Sequence, residues 1–256
     1  MTLKKVCLVF LLAAACSLAN AAPEAPRLRL LTEASPPVSM LEGDKVIGSG
    51  TDKVREIMAR TGTDYTVELL PWRRAYAFTL QRPDVCLFST SRTPDREHLF
   101  KWVGPTDEAQ WILLGRADRK FQLRTLEDAR GLRIGTYNGD ARDEYLRARG
   151  FKVDSAPNDM INPRKLMRDR IDLWAASFKR SGSVLKRNGW SDQIVPVLEF
   201  NRVGLYLACN PAVPTALIER MNAALDAMGR DGTMKRIDRK YEQWVEQVSN
   251  KNRRAP

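Results

Sequence analysis

The 256-residue chain carries a formal charge of +11, 43% hydrophobic residues, four cysteines and a single histidine, His98. The apolar share is ample for a core, and with two of the cysteines, Cys7 and Cys16, near the N-terminus, no zinc-like cluster is visible. The basic residues are scattered rather than gathered into a patch, which argues against nucleic acid as a partner.

Lys4 and Lys5 open a short positive region, residues 6–15 are apolar, and Ala19-Asn20-Ala21 is a small-x-small cleavage site. Residues 1–21 therefore read as a secretory signal, their apolar run being short for a membrane span. Cleavage leaves 235 residues with a charge of +9, exported to the periplasm. A lipoprotein carried on Cys16 is the second choice, because Ala13 stands where a larger aliphatic residue is usual. An uncleaved anchor ranks last, since no stop-transfer pattern follows.

Residues 27–32 alternate and predict a first strand. Thr51 or Asp52 caps a helix with Val54, Ile57 and Met58 on one face, ended by Gly62. Residues 65–70 predict a second strand, and Pro71 leads a helix to about Leu80. Residues 84–90 are apolar on both faces and predict a central third strand. Strand, helix, strand, helix, strand implies a parallel α/β sheet with right-handed crossovers.

Residues 110–115 open a second α/β unit. It has a short helix from Thr125, a strand over 132–136, a helix over 140–149 and an extended stretch over 151–154. A helix over 162–170, a strand over 171–176 and a helix over 181–188 complete it. A late strand covers 203–209. Two helices end the chain: one carries Ile218, Met221, Leu225 and Met228, the other Ile237, Tyr241 and Trp244. Residues 251–256 read as a disordered tail. Cys86 and Cys209 each lie in an apolar, strand-like run. The plainer reading is two buried thiols; an oxidising compartment also permits a bridge, which sequence cannot establish.

Several stretches in order resemble the periplasmic solute-binding proteins of family 3, the polar amino acid transport type, in an orphan subgroup. They are residues 32–37, Pro71-Trp72, residues 89–97 around Thr93-Pro94-Asp95-Arg96, residues 100–105, residues 126–135, Arg170-Ile171-Asp172, and Asp231-Gly232-Thr233 through Tyr241. The resemblance runs from about Leu28 to Trp244. It implies a two-lobed periplasmic binding protein-like fold of type II, each lobe a mainly parallel sheet flanked by helices. Residues 22–108 and 202–256 form the first lobe and residues 109–201 the second. The chain would cross between them near residues 105–110 and 200–203, and close by a hinge on a ligand.

The resemblance assigns Arg96 as a fork for the ligand's carboxylate, in keeping with guanidinium chemistry; a surface arginine paired with Asp95 or Glu97 is the plainer alternative. Ser89 and Ser91 fall at the C-terminal end of a parallel strand, where ligands bind in open α/β sheets. Trp72 offers an aromatic wall, with a core role weighed against it. Tyr137, Asn138, Gly139 and Asp140 lead into a helix whose first N–H groups favour an anion; Asp140 is also an ordinary N-cap.

Amino-acid-binding members place a carboxylate for the ligand's ammonium where this chain has Ser177. A neighbouring threonine becomes Ala141, and the next polar residue becomes Arg142. Glu33 remains as an ammonium partner. The expected ligand is a small carboxylate-bearing molecule, an amino acid or related organic acid. The chain is expected to be a monomer with no cofactor and no metal, serving an ABC-type permease. Two alternatives stand. One is a dehydratase-like enzyme using Glu33, Asp107 or Asp140 as acid or base. The other is a receptor or assembly partner of a non-transporter membrane protein.

Overall fold

The computed structural model describes residues 27–254, with side-chain surroundings described through residue 243. The expected signal sequence, Cys7, Cys16 and the Trp244 side chain lie outside the described residues. No described helix is long and apolar enough to cross a membrane.

In chain order the strands are β1 (Leu28–Thr32), β2 (Met40–Glu42), β3 (Lys45–Ile47), β4 (Tyr65–Leu69), β5 (Val85–Ser91), β6 (Lys101–Arg116), β7 (Arg133–Tyr137), β8 (Lys152–Ala156), β9 (Leu173–Ser177) and β10 (Ile194–Cys209). The helices are α1 (Ser49–Thr61), α2 (Trp72–Gln81), α3 (Ala141–Ala148), α4 (Asn162–Met167), α5 (Phe178–Asn188), α6 (Thr215–Arg230) and α7 (Thr233–Arg254). A 3-10 turn, Pro94–Leu99, follows β5.

Eight strands form one sheet in the order β4-β1-β5-β10-β6-β9-β7-β8. β1 is parallel to β4 and β5, and β7 is parallel to β8 and β9. The parallel triplets predicted from the strand-helix alternation are therefore present at both ends. Between them runs what the pattern did not show, an antiparallel pair of sixteen-residue strands, β6 and β10. β5 pairs with β10 between Leu205 and Cys209, while β9 pairs with β6 between Trp111 and Leu114. Each long strand thus serves one lobe with one half and the other lobe with the other half.

Apolar clusters pack on both faces of both lobes. In the first, α1 and α6 bury Val54, Ile57, Met58, Ile218, Met221, Leu225 and Met228 against Leu28, Leu30 and Phe88. These are the stripes foreseen on both helices, each fully buried side chain contributing roughly 1.5–3 kcal/mol relative to exposure. α2 packs Trp72 and Ala75 with Leu31 and Leu87 on the opposite face. In the second lobe, Ile112, Trp174 and Leu185 form one cluster and Ile134, Leu146 and Leu173 another.

Four local expectations are corrected. Cys86 and Cys209 are bonded to each other, joining β5 to β10 across 123 residues, rather than standing as two thiols. α1 begins at Ser49, so Asp52 lies in its first turn and accepts from Tyr241 Oη at 2.9 Å and Lys240 Nζ at 2.7 Å. α5 begins at Phe178, three residues before the expected start. α7 continues to Arg254, through much of the expected disordered tail.

Candidate functional site

The C-terminal ends of the parallel strands of both lobes converge on an inner cavity of about 70 Å³. Its walls are Thr32 and Glu33 from the end of β1, Ser89 and Ser91 from β5, Tyr137 from β7 and Ser177 from β9. The helix starts add Asp140 and Arg142 from α3, and Lys179 and Arg180 from α5. Ligand sites in open α/β sheets gather at these strand ends, because connections diverge there and leave a crevice. Ser89 has φ 59, in the left-handed region rare for a side-chain-bearing residue, and β10 shifts register opposite this segment between Tyr206 and Ala208. Strained backbone of this kind collects at functional sites.

Glu33 reaches across from the first lobe. Its Oε1 accepts from Tyr137 Oη at 2.7 Å and from Arg180 Nη1 at 3.2 Å, and Arg180 Nη2 also donates to the Ala34 carbonyl at 2.9 Å. Burial pushes the Glu33 carboxyl above its ordinary value, against the opposing pull of Arg180 and the Tyr137 hydrogen bond. Burial, with the Asp140 and Glu33 charges, holds the Tyr137 phenol well above its own.

Arg142 donates to Asp140 Oδ1 from Nε at 2.6 Å and from its backbone N–H at 3.0 Å, so Asp140 is the N-cap of α3. Burial pushes the Asp140 carboxyl up, but the charge and hydrogen bonds of Arg142, with the charge of Arg96, together leave it below the usual range. Asp159 stands behind both guanidiniums, its Oδ2 3.8 Å from Arg142 Nη2 and 3.8 Å from Arg180 Nη1. Burial alone would lower both arginines. Asp140, Asp159 and Tyr137 together outweigh it at Arg142, as Glu33, Asp159 and Tyr137 together do at Arg180, and both stay firmly protonated.

Arg96 sits beside the cavity and faces the second lobe. It is 2% exposed and does not line the cavity. Its guanidinium lies 5.5 Å from the Trp72 ring and 5.1 Å from the Tyr76 ring. The carboxylate at its fork is the chain's own: Glu144 Oε2 accepts from Nε at 3.2 Å and from Nη2 at 2.9 Å. Nη2 also donates to the Gly139 carbonyl at 3.1 Å, and Trp72 Nε1 donates to the same oxygen at 2.6 Å. Gly139 presents that oxygen from φ 74, a conformation glycine adopts without a Cβ penalty. Neither Asp95 nor Glu97 holds Arg96; Glu97 pairs with Arg92.

Of the sequence candidates, Glu33, Ser89, Ser91, Tyr137, Asp140 and Ser177 therefore meet at one cavity, while Trp72 and Arg96 meet beside it. Sequence reasoning missed Arg180, Lys179, Asp159 and Glu144. The first two would have been found by starting α5 directly after the Ser177 strand end, which puts them in its first turn. Asp159 and Glu144 carried no signal beyond a charged residue on a helix or turn.

The cleft continues outward. An open vestibule of about 400 Å³ is walled by Ser49, Asp238 and Tyr241 of the first lobe and by Phe178, Gly182 and Lys186 of the second. Val38, Asp107 and Lys179 belong to both spaces, and Lys179 Nζ donates to Asp107 Oδ1 at 2.9 Å across the lobes. A separate depression of about 490 Å³, among Arg164, Arg168 and Trp190, draws on the second lobe alone.

The model for bacterial extracellular solute-binding proteins, family 3, matches residues 28–243. The chain belongs to that family. This family 3 protein is 28% identical over 172 residues to ABC transporter arginine-binding protein 1 of Escherichia coli (strain K12), covering 64% of this chain and 67% of that one. In structure it is similar to a histidine kinase sensor domain that resembles periplasmic binding proteins, with TM-score 0.78, 18% identity and coverage of 85% of this chain and 96% of that one. An ancestral arginine-binding protein bound to arginine gives TM-score 0.74 at 21% identity over 84% and 98%. At such identities these structures speak to the fold, and they bear out the two-lobed binding-protein architecture.

Proposed function

We propose that this family 3 solute-binding protein captures a small carboxylate-bearing molecule, an amino acid or related organic acid, between its lobes and performs no chemistry on it. The observation that carries the reading is that two buried guanidiniums on the cavity wall keep an unpaired donor each, while the nearest spare acceptor, Asp159 Oδ2, stands 3.8 Å from both. Arg142 Nη1 and Arg180 Nε are the buried donors without a partner. A buried donor left unpaired costs roughly 1–3 kcal/mol, and more when charged. A molecule that brings carboxylate oxygens supplies what these walls lack.

In this reading residues 22–108 and 202–256 are one lobe and residues 109–201 the other. Support comes from the pairing of β6 with β10, where β5 gives way to β9 as outer neighbour between Asp107 and Trp111. The cavity of about 70 Å³ is well below the roughly 300–1,000 Å³ of ordinary small-molecule sites, so the lobes part to admit a ligand and close over it. Export through the 1–21 signal, a monomeric state and delivery to an ABC permease complete the proposal. The arginine bound by the relatives enters only as one candidate of the amino acid class.

Thermal unfolding against a panel of carboxylates, amines and neutral sugars tests this. A ligand at 100 times its Kd stabilises the fold by about 2.7 kcal/mol, which moves the midpoint by roughly 5–10 °C at this chain length. Such a shift from a carboxylate supports the reading. A shift from sugars or simple amines, with no carboxylate active, overturns it.

A further inference from the structure

We propose that Arg142 and Arg180, two buried guanidiniums at the helix starts of the second lobe, hold the ligand's anionic group, while Arg96 serves as a clasp closed by Glu144. The inference rests on the reading of the cleft as a carboxylate site and names the residues that do the holding.

Three observations meet here. Arg142 and Arg180 both line the inner cavity, at 4% and 8% exposure, and each keeps one buried donor unpaired, Nη1 and Nε respectively. They flank one surface, since their guanidinium carbons lie 5.6 Å and 5.8 Å from the Tyr137 ring centre. The N-terminus of α5, an eleven-residue helix, opens onto the same cavity, and its N-cap Ser177 makes no side-chain capping bond. A helix start favours negative charge, and two adjacent guanidiniums offer the planar forks that carboxylates match.

Arg96 offers less. Its fork is filled by Glu144 and the Gly139 carbonyl, with Trp72 and Tyr76 against it, and it has no wall on the cavity. Glu33 is the group a ligand carboxylate displaces. It occupies Arg180 Nη1 from the opposite lobe through a single oxygen, and the bond is broken when the lobes part.

Calorimetry with succinate, L-glutamate, L-arginine and agmatine is run on the full mature chain and on Arg142→Met, Arg180→Met and Arg96→Met. Methionine keeps the apolar stem and removes the fork. The expected result is that a carboxylate binds, that Arg180→Met and Arg142→Met each weaken it about tenfold to a hundredfold, and that Arg96→Met changes it less than threefold. If Arg180→Met does not fold, Arg180→Lys carries the test, and a loss of about tenfold is expected. Loss of binding in Arg96→Met alone overturns the inference and leaves the carboxylate reading standing. Agmatine binding as tightly as arginine, or no carboxylate binding at all, overturns both.

Discussion

A single oxygen of Glu144, Oε2, accepts from both Nε and Nη2 of Arg96, and the pair joins the second lobe to the first. With the Trp72–Gly139 hydrogen bond it closes one side of the cleft, while Glu33 with Arg180 and Asp107 with Lys179 bridge elsewhere. The molecule holds itself shut with its own side chains. Glu144→Ala leaves Arg96 buried with only the Gly139 carbonyl. Because Glu144 is 42% exposed, the cost to the closed state is set at about 1–2 kcal/mol rather than the full value for a buried pair. Small-angle scattering of the unliganded variant is expected to show a larger radius of gyration than the parent. An unchanged radius contradicts the clasp.

The Cys86–Cys209 bond ties the β5 strand to the returning β10 strand in the first lobe. A bridge closing so long a loop typically contributes about 2–4 kcal/mol. Reduction, or the double change to serine, is expected to lower the thermal midpoint by roughly 4–16 °C. Thiol titration of the unfolded mature protein should find no free cysteine before reduction and two after it.

Lys53 is 2% exposed, with its Nζ 2.8 Å from Asp238 Oδ1, 3.1 Å from the Thr106 carbonyl and 3.8 Å from Asp107 Oδ2. The two ends of this contact are unequal, because Asp238 keeps 37% of its side chain in water. Removing Asp238 leaves a buried cation with only the Thr106 carbonyl and the more distant Asp107, whereas removing Lys53 leaves a solvated anion. Asp238→Ala is expected to cost about 2 kcal/mol in chemical denaturation and Lys53→Met under about 1 kcal/mol, an asymmetry that follows from desolvation. Equal losses contradict it.

Acid should favour closure. Glu33 and Glu144 both have carboxyls raised above the ordinary value of 4.5 in the closed molecule, each chiefly by burial, with Arg180 and Tyr137 opposing at Glu33 and Arg96 opposing at Glu144. A state with the raised value binds protons more readily than an open state in which these groups meet water. Closure is therefore strengthened as pH falls from neutrality toward that ordinary value, and weakened as pH rises. Asp140 is buried but lowered on balance by Arg142 of its own lobe, with a smaller pull from Arg96 of the other, and its main partner stays with it in both states. Energy transfer between dyes on the two lobes is expected to rise from pH 7 to pH 5, and to rise less in Glu33→Gln. A signal falling with acid contradicts this sign.

The strand-helix order, the buried stripe on α6 and the strand-end serines were legible because each depends on residues close in the chain. The β6–β10 pair was not. Residues 194–202 carry Pro196, Glu199, Asn201 and Arg202, which read as loop, and only pairing with the distant residues 110–116 makes them a strand. Arg180 was hidden for a similar reason: its partner Glu33 is 147 residues distant, and a helix-start arginine otherwise reads as solvated surface. The Arg96 motif was recognised, but its neighbour at the fork, Glu144, lies 48 residues downstream on another lobe.

The most direct test is native mass spectrometry of the mature protein purified without denaturation, alongside the same protein unfolded, dialysed and refolded. The account predicts that the first sample carries a small adduct whose released mass is that of a carboxylic acid, and that the refolded sample lacks it and regains it when the acid is added. A refolded protein that takes up no carboxylate, or an adduct without an acid group, would contradict a carboxylate-capturing cleft.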